Sequence, residues 1–140
     1  MLLDIIDVSR RKRLAMKFGK TVLVVDDDPN ILSAFGEFFR KEECSLITSS
    51  STEGAMELLK RRSVDLIITD IRLKGQSGVT FLLEVKRVRQ STPIIVMTGY
   101  PEVISESEVK QYGADFFFQK PLDLDKFRDA VRKCLYRNGR

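Results

Sequence analysis

The chain of 140 residues contains no histidine and no tryptophan, and only two cysteines and four prolines. Without histidine there is no Ser-His or Cys-His nucleophile pair, no imidazole acid or base and no imidazole metal ligand. Nor can the chain carry a phosphohistidine. Cys44 and Cys134 lack metal-ligand or CxxC spacing, and two cysteines 90 positions apart read as reduced thiols of a cytosolic protein. No apolar run approaches the roughly 18 residues that a membrane span requires. The N-terminus is not a secretory signal, because acids interrupt its apolar residues and its basic cluster follows them.

The composition, 43% hydrophobic and 31% charged, is that of a globular chain of one domain. The formal charge of +4 is unevenly placed. Residues 1–20 hold six basic groups (Arg10, Arg11, Lys12, Arg13, Lys17, Lys20) and two acids (Asp4, Asp7), while the other 120 residues are balanced. The excess belongs to an N-terminal arm and says little about what the main domain binds. Three readings of that arm stay open. Leu2, Leu3, Ile5, Ile6 and Val8 suit one face of a short helix that docks on a partner or a second copy. Arg10–Arg13 suit nucleic acid or acidic lipid. Alternatively, Met16 is the true start.

Five short apolar runs recur: Thr21–Val25, Cys44–Thr48, Val64–Thr69, Pro93–Met97 and Ala114–Phe118. They are continuous and not alternating, as expected of strands covered on both faces. Segments of helical periodicity lie between them. Asp28 and Pro29 predict a first helix by cap and first-position proline. Thr52 is the expected cap of a second, Gly78 precedes a third, Pro101 opens a fourth, and Asp123 caps a fifth. Strict βα alternation over five repeats implies parallel strands with right-handed crossovers. A closed eight-fold barrel needs about 250 residues. The expectation is therefore an open, doubly wound α/β sheet with helices on both faces.

Ligands of such sheets bind beyond the carboxyl ends of the strands. There the chain places Asp26-Asp27-Asp28 after the first strand, Asp70 after the third, Thr98 after the fourth and Lys120-Pro121 after the fifth. The second strand ends in Thr48 and a serine run, a bland loop. Carboxylates from two strand ends can converge on a hard divalent cation such as Mg2+. One carboxylate can act as a nucleophile towards phosphorus, with a hydroxyl and an ammonium to meet the phosphoryl oxygens. Asp28 reads as a helix cap, Phe116 and Phe118 as core, and Lys60-Arg61-Arg62 as a solvated helix end.

These residues together resemble the receiver domain of two-component response regulators. The matching segments are Val24-Val25-Asp26-Asp27-Asp28-Pro29, Asp70-Ile71-Arg72-Leu73 with Gly75 and Gly78, Met97-Thr98-Gly99-Tyr100, and Gly113-Ala114-Asp115 leading to Lys120-Pro121. The likeness spans residues 21–137, with 1–20 as the arm and 138–140 as a tail. It implies a flavodoxin-like, five-stranded sheet in the order 2-1-3-4-5. It also implies that Asp70 is the phosphoacceptor and that Mg2+ is held by Asp26, Asp27, Asp70 and the Arg72 carbonyl. Thr98 and Lys120 would engage the phosphoryl group, Phe117 would be the aromatic switch, and the Lys120–Pro121 peptide would be cis. Lys74 replaces a common proline, and Gln76-Ser77-Gly78 a more usual Met-Asp-Gly. Arg72 and Tyr100 are expected to tune the lifetime of the aspartyl phosphate.

The implied protein is a cytoplasmic phosphoacceptor and not an enzyme on external substrates, although it assists its own phosphorylation and dephosphorylation. Its donor would be a sensor histidine kinase or a histidine phosphotransfer protein. Output would pass through a downstream protein or a homodimer, using the surface of the fourth helix, fifth strand and fifth helix. The receiver would not bind nucleic acid directly; with the chain ending at Arg140 there is no room for a DNA-binding output domain, so output would pass through a partner or the chain is a fragment of a longer regulator. The rival reading is an interaction module of the same fold that works without phosphorylation.

Overall fold

The computed structural model describes residues 19–73 and 76–136, with the side chain of Gln76 excepted. The expectations for the arm, Lys74, Gly75, Gln76's side chain, Arg137 and the tail lie outside the described residues. Seven strands and five helices follow in order: β1 (Thr21–Val25), α1 (Pro29–Lys41), β2 (Ser45–Ser49), α2 (Thr52–Arg61) and β3 (Leu66–Asp70). Then come β4 (Arg72–Leu73), β5 (Gln76–Ser77), α3 (Gly78–Val88), β6 (Ile94–Thr98), α4 (Glu106–Gln111), β7 (Phe116–Gln119) and α5 (Leu124–Tyr136). Five of the strands form one parallel sheet ordered β2-β1-β3-β6-β7. This is the expected doubly wound, flavodoxin-like fold, with the order 2-1-3-4-5 once the short β4–β5 pair is set aside.

Alternation along the strands divides the core in two. Leu23, Val25, Ile67, Ile94 and Val96 meet α2, α3 and α4. Val22, Val24, Leu66, Ile68, Ile95 and Met97 meet α1 and α5. The central strands β1, β3 and β6 are buried on both faces, as continuous apolar runs require, but β2 and β7 are edges and remain partly exposed. Two aspartates clasp the starts of the strands. Asp65 accepts from the Thr21 amide at 2.8 Å, and Asp115 from that of Ile94 at 2.9 Å; the amide of each returns a bond to the same residue's carbonyl.

Several helix starts differ from expectation. Ser51, and not Thr52, caps α2, its hydroxyl accepting from the Gly54 amide. Gly78 is the first residue of α3, capped by Ser77. A Cβ at Gly78 would meet the Ile71 carbonyl oxygen at 2.2 Å, so only glycine lets the helix start against that backbone. Pro101 lies in a turn, and α4 begins five residues later. The reason is a capping box: the Ser105 hydroxyl accepts from the Glu108 amide while the Glu108 carboxylate accepts from the Ser105 amide. Asp28 and Asp123 cap α1 and α5 as expected.

A candidate phosphoacceptor cleft

Strand register brings the site together. Val25 pairs with Thr69, so Asp26 and Asp70 extend the next rung side by side; Thr98 pairs with Gln119, so Lys120 follows on the outer strand. Backbone bonds carry the ladder past the strand ends, from the Asp26 amide to the Ser49 carbonyl and from the Lys120 amide to the Thr98 carbonyl. The Lys120–Pro121 peptide is cis.

The Lys120 ammonium joins the two acids, with Nζ at 2.9 Å from Asp26 Oδ2 and 2.7 Å from Asp70 Oδ2. Each carboxylate spends its other oxygen on a nearby amide. Asp26 Oδ1 accepts from Asp28, and Asp70 Oδ1 from Arg72, both at 2.9 Å. Asp26 is fully buried and Asp70 is 7% exposed, whereas Asp27 faces solvent. Burial raises the Asp26 pKa above its ordinary value, although the Asp28 amide and Lys120 pull it down. Burial alone would lower the Lys120 pKa, but its bonds to Asp70 and Asp26 outweigh that and leave it raised. Two carboxylates in so small a space would otherwise repel.

These groups line an open cleft of about 660 Å³, whose other wall is formed by Arg72 and Tyr100. The Arg72 guanidinium lies 4.5 Å from the centre of the Tyr100 ring, a cation–π pair at the mouth of the cleft. Sequence reasoning placed both residues beside the site without foreseeing that they touch. It also gave Asp28 only the capping role, yet Asp28 lines the cleft as well.

Thr98 and Phe117 are the exceptions. Thr98 is fully buried and does not line the cleft; its hydroxyl accepts from the Tyr100 amide at 2.9 Å. Phe117 is half-buried and packs on the aliphatic cluster under α4. Both sit on the sheet face that α2, α3 and α4 cover, by the alternation from Val96. The β4–β5 hairpin, which pairs Arg72 with Ser77 and Leu73 with Gln76, was not foreseen; two-residue strands leave no periodic trace.

Among the described residues, no three acidic, cysteine or histidine side chains gather into a ready-made metal cage. The donor chemistry nevertheless fits Mg2+, which binds oxygen, keeps several waters and usually takes only one or two carboxylates. Nor does any described helix have the length and apolarity to cross a membrane.

Known proteins share this fold. A family model described as the response regulator receiver domain matches residues 22–132. Sporulation initiation phosphotransferase F of Bacillus subtilis is 32% identical over 117 residues, covering 84% of this chain and 94% of that protein. The transcriptional regulatory protein GlrR of Escherichia coli K12 is 31% identical over 114 residues, which make up 81% of this chain but only 26% of GlrR. The crystal structure of the response regulator TrrA from Thermotoga maritima, in complex with Mg2+-BeF, superposes with a TM-score of 0.75 at 30% identity. It covers 83% of this chain and 99% of TrrA.

Proposed function

Because this chain belongs to the response regulator receiver domain family of two-component signalling, we propose that it accepts a phosphoryl group on Asp70 from a phosphohistidine of a partner protein. The observation that carries the reading is the pairing of a nearly buried Asp70 with Asp26 through one ammonium, at the floor of an open cleft. A carboxylate so placed is within reach of a donor phosphorus, yet shielded from bulk water on its other sides.

Transfer forms a bond between phosphorus and a carboxylate oxygen of Asp70 and breaks the bond to the donor's imidazole nitrogen, which leaves with the donor. Asp26, Asp27, Asp70 and the Arg72 carbonyl would hold Mg2+, which when bound supplies positive charge to the phosphoryl oxygens. Lys120 already contacts Asp70 at 2.7 Å and can exchange that contact for a phosphoryl oxygen, keeping a charge-assisted bond throughout. Arg72 and Tyr100 would screen the side from which water attacks, and so set the lifetime of the acyl phosphate.

The new charge would draw the Thr98 hydroxyl from the Tyr100 amide towards the phosphoryl group, and Phe117 would deepen its burial in the space released. That displacement would bias the surface of α4, β7 and α5, where a downstream partner or a second copy would read it. A kinase or a histidine phosphotransfer protein would be the donor.

Incubation with a small phosphodonor and Mg2+, followed by intact-mass measurement, tests the core of this reading. One added phosphoryl group is expected, absent in Asp70→Asn and absent when Mg2+ is chelated. No adduct from either the small donor or a cognate kinase would leave the phosphorylation-independent interaction module as the answer.

A further inference from the structure

A second hollow, of about 290 Å³, runs between α1 and α5 on the opposite side of Ile31 from the acidic cleft. Its floor is apolar: Ile31, Phe35 and Phe38 from α1 meet Leu122 and Leu124. Leu124 stands 54% exposed, although it begins a helix in which Phe127, Ala130, Val131, Cys134 and Leu135 are buried. The rim carries Lys41, which pairs with Glu37 at 3.9 Å, and Arg128, which pairs with Asp125 and Glu42 at 3.2 and 3.5 Å.

The chain itself holds a segment of matching chemistry. Residues 1–8 supply Leu2, Leu3, Ile5, Ile6 and Val8 with two acids, Asp4 and Asp7, and no basic side chain. That stretch thus offers five apolar side chains to the apolar floor, and its two carboxylates can exchange with those that already pair with the rim cations. Its point of entry into the fold is also suitable. The Lys20 carbonyl accepts from the Ser45 amide just beyond the end of α1, and the Lys20 ammonium lies 5.7 Å over the ring of Tyr136, the last residue of α5. The tether therefore starts where the two helices that form the groove both end, beside Lys41.

Reach decides whether the same molecule can supply the occupant. A helix of 13 residues such as α5 is about 20 Å long. The stretch from Ser9 to Lys20, at about 3.3–3.6 Å per extended residue, spans about 40 Å. It can bring residues 2–8 to any point of the groove with length to spare. A tether of this kind also holds the segment at high effective concentration, which favours the intramolecular contact over a second copy.

We propose that the α1–α5 groove is an interaction surface for the chain's own N-terminal segment, with the apolar residues among Leu2–Val8 covering it in cis. The inference is independent of whether Asp70 is phosphorylated. It has a consequence for that reaction, since Ile31 borders both hollows: a protein donor that approaches over α1 must displace the segment, whereas a small phosphodonor need not.

Amide resonances of the full chain test it. Ile5→Asp/Ile6→Asp should shift the amides of Ala34, Phe38, Leu124 and Arg128 and leave those of β3 unchanged. Ala34→Arg, at an exposed position on the groove wall, should in turn shift the amides of residues 2–8. Both sets of shifts should be unaltered by tenfold dilution. Groove amides that are identical in the parent and the Ile5→Asp/Ile6→Asp chain would overturn the proposal. Shifts that disappear on dilution would also overturn it, in favour of a second copy as the occupant.

Discussion

The two helical layers that cover the sheet differ in how they are built. The α1–α5 layer has two helices of 13 residues each, and its core holds Phe35, Phe39 and Phe127 with Phe38 and Phe118 packed alongside. Every ring–ring contact among the described residues lies there, with centroids 4.9–6.1 Å apart. Glu42 ties the layer together at one end, its carboxylate bound by both Arg128 and Arg132. The opposite layer has helices of 10, 11 and 6 residues on a mainly aliphatic core, in which Phe81 is the one buried aromatic. Thr98 and Phe117 belong to this second layer. A six-residue helix has little stability of its own and follows whatever its neighbours do. The division suggests a stiff half that fixes the acids and a compliant half that can register a change at Asp70.

The largest effect expected from this contrast is at Phe127, fully buried among three other rings. Phe127→Ala should cost about 3–5 kcal/mol, measured by denaturant unfolding, since close-packed rings cannot collapse into the void. A cost near 1 kcal/mol would mean that the aromatic layer yields as readily as the other.

Asp26→Asn should act in the opposite direction. The substitution keeps the acceptor for the Asp28 amide but removes a buried charge whose ionisation burial opposes. A gain of about 0.5–2 kcal/mol at neutral pH is expected, the usual scale when a strained functional site is relieved. Its pH dependence follows from linkage. A carboxyl whose folded pKa is raised above 3.8 holds its proton longer folded than unfolded, so parent stability falls as pH rises through that interval. The advantage of the asparagine chain should therefore open as pH climbs from about 3.8 and be complete once pH has passed the raised folded value. Lys120 works at the other end of the scale. Its raised pKa contributes stability that is present below its ordinary 10.5 and lost as pH rises through the folded value. A constant difference between parent and Asp26→Asn from acid to neutral pH would show that Asp26 ionises without penalty.

The next effect is smaller and local. Ser105→Ala removes the hydroxyl that closes the α4 capping box, worth about 1 kcal/mol. Faster amide exchange should appear at Val109 but not at Phe127. Equal acceleration at both sites would make the two layers a single cooperative unit.

What the sequence disclosed and what it hid divide along the same line. The five main strands were legible to within two residues because runs such as Leu66–Asp70 are apolar or β-branched up to the charged residue that ends them. The convergence of Asp26, Asp70 and Lys120 was legible too, since parallel register aligns strand ends whatever the loops do. The helix α4 starts not at Pro101 but at Glu106, because the Ser105-x-x-Glu108 capping box, a pattern also present in the sequence, is the stronger start signal. The hairpin after Asp70 rests on two pairings closed by contact of Gly78 with Ile71, which is tertiary information. The direction of the Thr98 hydroxyl depends on the Tyr100 amide, and the half-burial of Phe117 on a cluster assembled from three helices. Neither is written in local spacing.

The smallest expected effect concerns the thiols, and it probes the stiff layer without altering it. Neither Cys44 nor Cys134 is in a disulfide, and both are buried on the α1–α5 side. Burial, with the nearby charge of Glu42, pushes the Cys44 pKa up to about 11, so at neutral pH almost none is thiolate. A thiol reagent can then react only after the layer opens. If that layer opens only with the whole domain, labelling of the native chain should proceed at the rate set by global unfolding and slow in step with any stabilising substitution, Asp26→Asn included. Labelling faster than global unfolding, and indifferent to Asp26→Asn, would require α1 or α5 to detach on its own. The aromatic layer would then be the mobile one, and the assignment of anchor and responder to the two faces of the sheet would have to be reversed.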